Sequence, residues 1–376
     1  MKRLKVGVIY GGNSVEHEIS IISALQVIKA LDKIKYEVIP LYISKDTKVF
    51  TGDDLLNIDS YKNIDSLLKK CTQVRFKRVN NKGFIVNEDI PFIKKSIDVL
   101  FPVVHGKNVE DGSLKYIIDT LDIPSVYSSL PSLALLQDKV YTKMLLQAND
   151  FPTLDYLYIK KNDYKYVTLD DLDLKFPYIV KPASLGSSIG IKYASNHNEL
   201  YDCILSAFNY DNKVLIERAL KEFKEVNCSA FRYKDKIYIS SIERVYSSKK
   251  FLDYNDKYNG NEGMVKCKRE LPASLSKEEE ELVRRYTEDA YELFDCHGVV
   301  RIDYLIGDKK VYLNEINSIP GSYAYYLWEN SNIRFDKLLD MVIEQSIIEY
   351  RENNKLINTF NNFKIFDNSS FKLSLK

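Results

Sequence analysis

Apolar and polar positions switch repeatedly between a two-residue and a helical period, which predicts alternating strands and helices. Residues 4–10, LKVGVIY, form an apolar run ending at Gly11-Gly12, a buried strand entering a tight loop. From Val15 to Leu31 the spacing is helical, with Ile19, Ile22, Leu25 and Ile28 as its apolar stripe. Residues 36–43 read as a second strand. Short strands are expected at 73–79 and 83–87 within a charged stretch, 45–95, and a buried strand at 97–104 leads to a helix from Ser113. A strand, a glycine loop and a helix in succession open a doubly wound α/β domain with a parallel sheet.

The second half predicts strands at 176–182 and 213–220, with another beginning at Glu225. Residues 246–272 are a long polar loop, and such loops are usually lids or disordered. A helix follows over 276–294, its apolar side made by Leu282, Val283, Tyr286, Ala290 and Leu293. Then comes a hairpin, with strands at 301–306 and 311–317 around Gly307-Asp308-Lys309. Glu315 and Asn317, two apart, share a face. A three-residue loop sets Asp303 opposite Leu313 on that same face, whereas a two-residue loop sends it to the other side. A last helix is expected at about 335–350, then a loosely attached polar tail, 351–376.

Length and charge narrow the class. The chain has 376 residues, enough for two or three domains, and a net charge of +1, which implies no nucleic-acid partner. No run of about 18 apolar residues could cross a membrane, and the N-terminus lacks a signal-peptide pattern. The five cysteines are scattered without CxxC spacing, so neither a zinc site nor a disulfide framework is expected, and a reducing cytoplasm fits.

Several segments carry candidate chemistry. The first loop is GGNS, not GxGxxG, which argues against a dinucleotide fold and a dehydrogenase. Glu16 at the first helical turn either offsets the helix dipole or faces a ligand at the sheet's carboxyl edge. His105 to Gly112 places His105 and Glu110 after a strand, as structural or site residues alike. Lys181 ends a strand before a Gly/Ser loop containing Ser184, Gly186, Ser187 and Ser188. That loop is either a plain hairpin or a phosphate cradle. Glu217 and the backbone of Arg218, Ala219 and Leu220 could read an adenine, and Glu225 a ribose; each could also be a surface residue. Asp303, Glu315 and Asn317 would form an oxygen wall suited to magnesium, or an ordinary solvated strand face.

Taken together and in order, GGNSVEHEIS, HGKNVEDG, QDK, VKPASLGSSIG, VLIERAL, FLDYNDKY, RIDY and NEINSIPG resemble the D-alanine–D-alanine ligases of the ATP-grasp superfamily. The resemblance runs from residue 4 to about 345. It implies an α/β, partly α+β, ATP-grasp fold with an N-terminal substrate domain (1–128), a central subdomain (129–215), a C-terminal subdomain with lid and metal site (216–350) and the tail (351–376). It implies ATP and two Mg²⁺ or Mn²⁺ as cofactors, amino-acid substrates, peptidoglycan precursor synthesis in the cytoplasm, and commonly a homodimer. By motif position, Lys139, Lys181 and residues 184–190 would contact the phosphates, Glu217 with 218–220 the adenine, and Glu225 the ribose. An extra residue separates these two glutamates compared with some members. Asp303, Glu315 and Asn317 would hold the metals. Glu16, helped by His105 and Glu110, would take the first substrate's ammonium, and Ser187 and Tyr258 would link that site to the lid. Arg301 and the Gly321 amide would stabilise the oxyanion, and Lys257 would reach the phosphate or the second substrate's carboxylate.

One departure stands out. Where family members carry a Thr- or Ser-bearing segment for the second substrate's carboxylate, this chain has Ser322-Tyr323-Ala324-Tyr325-Tyr326-Leu327-Trp328, and the lid is lengthened by 260–264. D-serine, D-lactate or another amino acid is therefore an alternative second substrate, and a non-catalytic nucleotide-binding paralogue an alternative class. The presence of Asp303, Glu315, Asn317 and Arg301 argues against the latter.

Overall fold

The computed structural model describes residues 2–80, 82–166, 175–246 and 268–357. The first sheet contains β1 (Leu4–Gly11), β2 (Tyr36–Ile43), β3 (Val49–Thr51), β4 (Thr72–Val79), β5 (Lys82–Asn87), β6 (Lys94–Ile97) and β7 (Val99–Val103), in the order β6-β5-β4-β3-β2-β1-β7. Its parallel part is β2-β1-β7, and β3 to β6 extend it antiparallel. The charged stretch 45–95 thus joins the sheet as a meander. The run expected as one strand at 97–104 belongs to two, β6 and β7, broken at Asp98, whose carboxylate accepts from the Lys5 amide at 2.9 Å.

The helix His17–Ala30 corrects the expected stripe. Its buried face is Ser20, Ile21, Ser23, Ala24, Val27 and Ile28, while Ile22 is 48% exposed. Small hydroxyls sit inside because they complete backbone hydrogen bonds. Ser20 Oγ accepts from the Gly11 amide at 2.7 Å and donates to the Val103 carbonyl at 2.5 Å. Ile19 and Ile22 instead reach a cavity wall.

The second sheet is antiparallel: β8 (Tyr156–Lys160), β9 (Tyr178–Pro182), β10 (Lys192–Ala194) and β11 (Lys213–Arg218), ordered β10-β9-β11-β8. The expected boundary at 215/216 falls inside β11. The third sheet holds β12 (Lys224–Tyr233), β13 (Lys236–Ile239), β14 (Glu243–Val245), β15 (Arg269–Glu270), β16 (Val299–Gly307) and β17 (Lys310–Asn317), ordered β15-β14-β12-β16-β17 with β13 paired to β12. The helix Lys277–Leu293 covers its apolar face and starts on a capping box between Ser276 and Glu279.

The β16–β17 hairpin resolves the register differently from either reading of the sequence. Gly307 pairs with Lys310, so the loop has two residues, Asp308 and Lys309, both at positive φ. Such a loop alone would put Asp303 opposite Asn314. A bulge between Asp303 and Tyr304 instead pairs Asp303 with Glu315. Asp303, Glu315 and Asn317 therefore face one cavity, while Ile302, Tyr304, Leu313 and Ile316 stay in the core.

The aromatic run after Gly321 splits. Tyr323, Leu327 and Trp328 are buried, whereas Ser322, Tyr325 and Tyr326 line the cavity. Ser322, Tyr323 and Ala324 all have positive φ, a costly turn for residues with a Cβ. It is held by the Tyr323 hydroxyl donating to the Pro102 carbonyl at 2.6 Å and the Ser322 amide donating to Ser23 Oγ at 3.1 Å. The last helix, Phe335–Asn353, takes in the first residues assigned to the tail, and 358–376 lie outside the described residues.

Trp328, the only tryptophan, packs edge-on against fully buried Phe231 with ring centroids 4.8 Å apart. Phe231→Ala is expected to remove about 3–5 kcal/mol of stability, read by denaturant unfolding followed through Trp328 fluorescence. A loss under about 1 kcal/mol would contradict this packing.

Candidate active site

A cavity of about 950 Å³ opens between the three sheets, and most of the expected site residues line it. Glu16, His105, Glu110, Lys139, Lys181, Gly186, Ser187, Ser188, Glu217, Arg218, Ala219, Leu220, Glu225, Arg301, Asp303, Glu315, Asn317 and Gly321 all do. Ser184 does not. Its amide donates to Asp211 at 2.7 Å and its carbonyl accepts from Gln137 at 2.6 Å, so it anchors the base of the Gly/Ser loop. Lys257 and Tyr258 lie outside the described residues.

At one end, Glu16 precedes its helix without capping it. Its buried carboxylate accepts from the Ser187 hydroxyl, which ties the N-terminal unit to the Gly/Ser loop. The approach is close. A Cβ on Gly186 would stand 2.8 Å from Glu16 Oε2. Burial pushes the Glu16 carboxyl up, opposed by the Ser187 hydroxyl and His105 and reinforced by Glu110 and Glu315. His105 is buried behind it, 3.3 Å from Ser23 Oγ, and burial lowers its imidazole. Glu110 is a brace. It accepts from the Gly106 amide at 2.8 Å, the Ser318 hydroxyl at 2.7 Å and the Ile319 amide at 3.1 Å, fixing the turn after β17 to the loop after β7.

Across the cavity, Lys139 starts the helix Lys139–Ala148, capped by Asp138. Its ammonium donates to the Leu185 carbonyl at 2.7 Å and to Glu315 at 3.0 Å. Lys181, at the end of β9, pairs with Glu217 and donates to Asn314 Oδ1 at 3.2 Å. The second Glu217 oxygen pairs with fully buried Lys143. Burial alone would raise the Glu217 carboxyl, but Lys143 and Lys181 hold it down to about 2. The amides of Arg218 and Ala219 are committed to the carbonyls of Asp155 and Pro177, both at 2.9 Å.

The oxygen wall is tied up by cations. Arg301 grips Asp303 with both arms, at 2.7 and 2.8 Å, and Asn317 donates to Asp303 at 3.2 Å. Two carboxylates and an amide on neighbouring strands are hard donors that fit a magnesium ion completed by phosphate and water. Among the described residues no group of three His, Cys, Asp or Glu makes a full cage.

Comparison with known proteins places this arrangement. Residues 5–128 match the model of the D-ala D-ala ligase N-terminus, and residues 145–344 that of the D-ala D-ala ligase C-terminus. The chain belongs to the D-alanine–D-alanine ligase family. It is 37% identical over 352 residues to the D-alanine–D-alanine ligase of Thermosipho africanus, covering 93% of this chain and 95% of the relative. It is 35% identical over 366 residues to that of Caldicellulosiruptor bescii, covering 94% and 97%. Among solved structures, the D-alanine-D-alanine ligase from Coxiella burnetii superposes with a TM-score of 0.79 at 25% identity, covering 94% and 97%. The VanG D-Ala:D-Ser ligase from Enterococcus faecalis gives 0.78 at 25%, covering 92% and 100%. The fold is that of the ATP-grasp ligases. No helix among the described residues is long and apolar enough to cross a membrane.

Sequence reasoning missed several residues of this family member's cavity. Asn314 comes in through the bulge, Ser23 through the rotated helix face, Arg269 from a short strand, β15, inside the stretch 246–272 expected to be all loop, and Tyr325 and Tyr326 from the aromatic run. Nothing in the spacing of Lys143 reveals its pairing with Glu217.

The Glu217 pair generates a pH dependence. The folded carboxyl sits at about 2 against a reference of 4.5, so its contribution is fully present above 4.5 and is lost as pH falls toward 2. Acid unfolding should show a loss of about 3 kcal/mol in that window, absent in Glu217→Gln. An identical acid profile for the variant would contradict the pairing.

Proposed function

We propose that this chain joins two D-alanines into D-alanyl-D-alanine while ATP is cleaved to ADP and phosphate, for peptidoglycan precursor synthesis. The observation that carries this reading is the meeting, in one cavity, of an oxygen wall with two lysines and, at its other end, a buried carboxylate able to hold an ammonium. The residue roles below are the family's, and the geometry supports them.

Glu16, oriented by Ser187, would pair with the ammonium of the first D-alanine. A carboxylate needs activation before an amine can attack it at neutral pH. An oxygen of the first D-alanine's carboxylate attacks the γ-phosphorus, ADP leaves, and an acyl phosphate forms. Lys139 and Lys181 would neutralise the phosphates, and the loop 185–188 would cover them. For Lys181 to reach a phosphate it must leave Glu217, which frees one oxygen of Glu217 for an adenine amino group. Lys143 stays and keeps that carboxylate ionised. The amide of Leu220 then serves the purine edge, with Arg218 and Ala219 shaping the turn, and Glu225 serves the ribose.

Asp303, Glu315 and Asn317 would hold magnesium, which supplies charge neutralisation between the transferring phosphates. Arg301, which grips Asp303, would also address the developing oxyanion, beside the Gly321 amide. Around Gly321 an added Cβ would meet nothing within 4 Å, so its backbone is open to the cavity. The amine of the second D-alanine attacks the acyl carbon, a tetrahedral intermediate forms, and phosphate and a proton depart. Positioning and fixed charge carry most of such catalysis.

Purified protein given ATP, magnesium and D-alanine should release ADP and phosphate in step with dipeptide; binding of ATP without turnover on any amino acid would favour the non-catalytic class. Glu315→Gln should nearly abolish turnover with the fold intact, and substantial residual activity would remove Glu315 from the metal site. Arg301→Met should lower kcat roughly 10²- to 10³-fold with little change in the KM for ATP; a kcat within about threefold of wild type would take Arg301 out of the oxyanion role.

A further inference from the structure

The cavity face of the third sheet carries a row of polar residues across four strands. Glu243 on β14 pairs with Asn227 on β12, Asn227 with Asp303 on β16, and Asp303 with Glu315 on β17. At about 4.8 Å between strands, Glu243 lies roughly 10 Å from Asp303. An amino acid whose nitrogen attacks a group held at Asp303 would place its own carboxylate at a distance of this order.

Glu243 is 1% exposed, and its partners are all committed to shaping this spot. One oxygen accepts from Asn227 Nδ2 at 2.9 Å and from the Tyr326 hydroxyl at 2.5 Å; the other faces Arg269 at 3.4 Å. The Arg269 guanidinium also lies over the Tyr326 ring, 5.2 Å from its centroid. Arg269 stands opposite Val245 in the β14–β15 pair, and both line the cavity.

Four other cavity cations have close partners. Lys139 is on Glu315, Lys181 on Glu217, Arg218 on Asp308 and Arg301 on Asp303. Lys221 sits on the β11–β12 turn, beyond Glu217, at the end read as the nucleotide's. Arg269 is different. Among the described residues it makes one long ion pair, through a single nitrogen, and an arginine carries five N–H donors in a planar fork. Such a fork, held by a buried carboxylate and a ring, matches a carboxylate in two-point fashion.

We propose that Arg269 is the anchor for the acceptor amino acid's α-carboxylate, with Glu243 and Tyr326 as its positioning residues. The proposal rests on the ligase reading and names the residue that recognises the second substrate. Arg269 then takes the place of a hydroxyl-bearing segment: Tyr326, in the helix that follows the turn at 322–324, sets the guanidinium. The class of acceptor is an amine with a free neighbouring carboxylate.

The test is a product partition. The protein is given ATP, magnesium, D-alanine and D-alaninamide together, and the dipeptide and dipeptide amide are separated and counted. D-alaninamide has no carboxylate to activate, so it competes only as acceptor, and the ratio of products reports acceptor recognition alone. Arg269→Met should lower the ratio of dipeptide to dipeptide amide about 10- to 100-fold, with Arg269→Lys between it and wild type. Should Arg269→Met fail to fold by its Trp328 fluorescence, Arg269→Gln is read by the same ratio. A ratio equal to wild type, even with both products reduced alike, overturns the assignment. Wild-type protein that forms neither product overturns the ligase reading itself, and the assignment with it, which is distinct from an unchanged ratio.

Discussion

Everything at the site depends on one extra residue in a strand. A two-residue turn sets the β16–β17 register, and without interruption it would carry Glu315 to the face shared by Ile302, Tyr304 and Leu313. A carboxylate there would be desolvated among apolar side chains, at a cost of several kcal/mol. The bulge between Asp303 and Tyr304 reverses the sides of β17 midway. Leu313 remains in the core, and Asn314, Glu315 and Asn317 face the cavity. The same irregularity gives Lys181 its contact with Asn314 and Lys139 its contact with Glu315, so the hairpin gathers both lysines as well as the oxygen wall.

The cavity's charges are balanced internally. Asp303 is on Arg301, Glu315 on Lys139, and Glu217 between Lys181 and Lys143. Each pair joins a group suited to phosphate or oxyanion with one suited to metal or base. Incoming substrate can therefore exchange partners without leaving a buried charge alone, which is where such sites become costly. The braces around them are less exchangeable. Glu110 joins two loops from different sheets through three hydrogen bonds, and Glu243 joins β12 to the turn after β17.

Much of this was legible in the chain. Strong local patterns, such as β1, β2 and the helix expected over 276–294, carry their own structure because propensity and burial agree there. Motif order assembled Glu16, Lys139, Lys181, Glu217 and the oxygen wall into one site before any fold was known. The losses have physical causes. The bulge is invisible to alternation, which assumes one residue opposite one. The helix His17–Ala30 hid its buried face because Ser20 and Ser23 go inward to satisfy backbone groups and Ile22 goes to the cavity. Arg269 had no motif around it: its place comes from pairing with β14. The aromatic run was one feature in sequence but divides between core and cavity, since a left-handed turn at 322–324 redirects it.

The chemistry proposed for this cavity is activation of a carboxylate by transfer of a phosphoryl group onto it. Isotope transfer tests that most directly. D-alanine labelled with ¹⁸O in its carboxyl group is turned over with unlabelled ATP, and the released phosphate is weighed by mass spectrometry. One ¹⁸O is expected in phosphate for each dipeptide formed, because the acyl phosphate gives up its bridging oxygen with the leaving group. Dipeptide formed with unlabelled phosphate would contradict it.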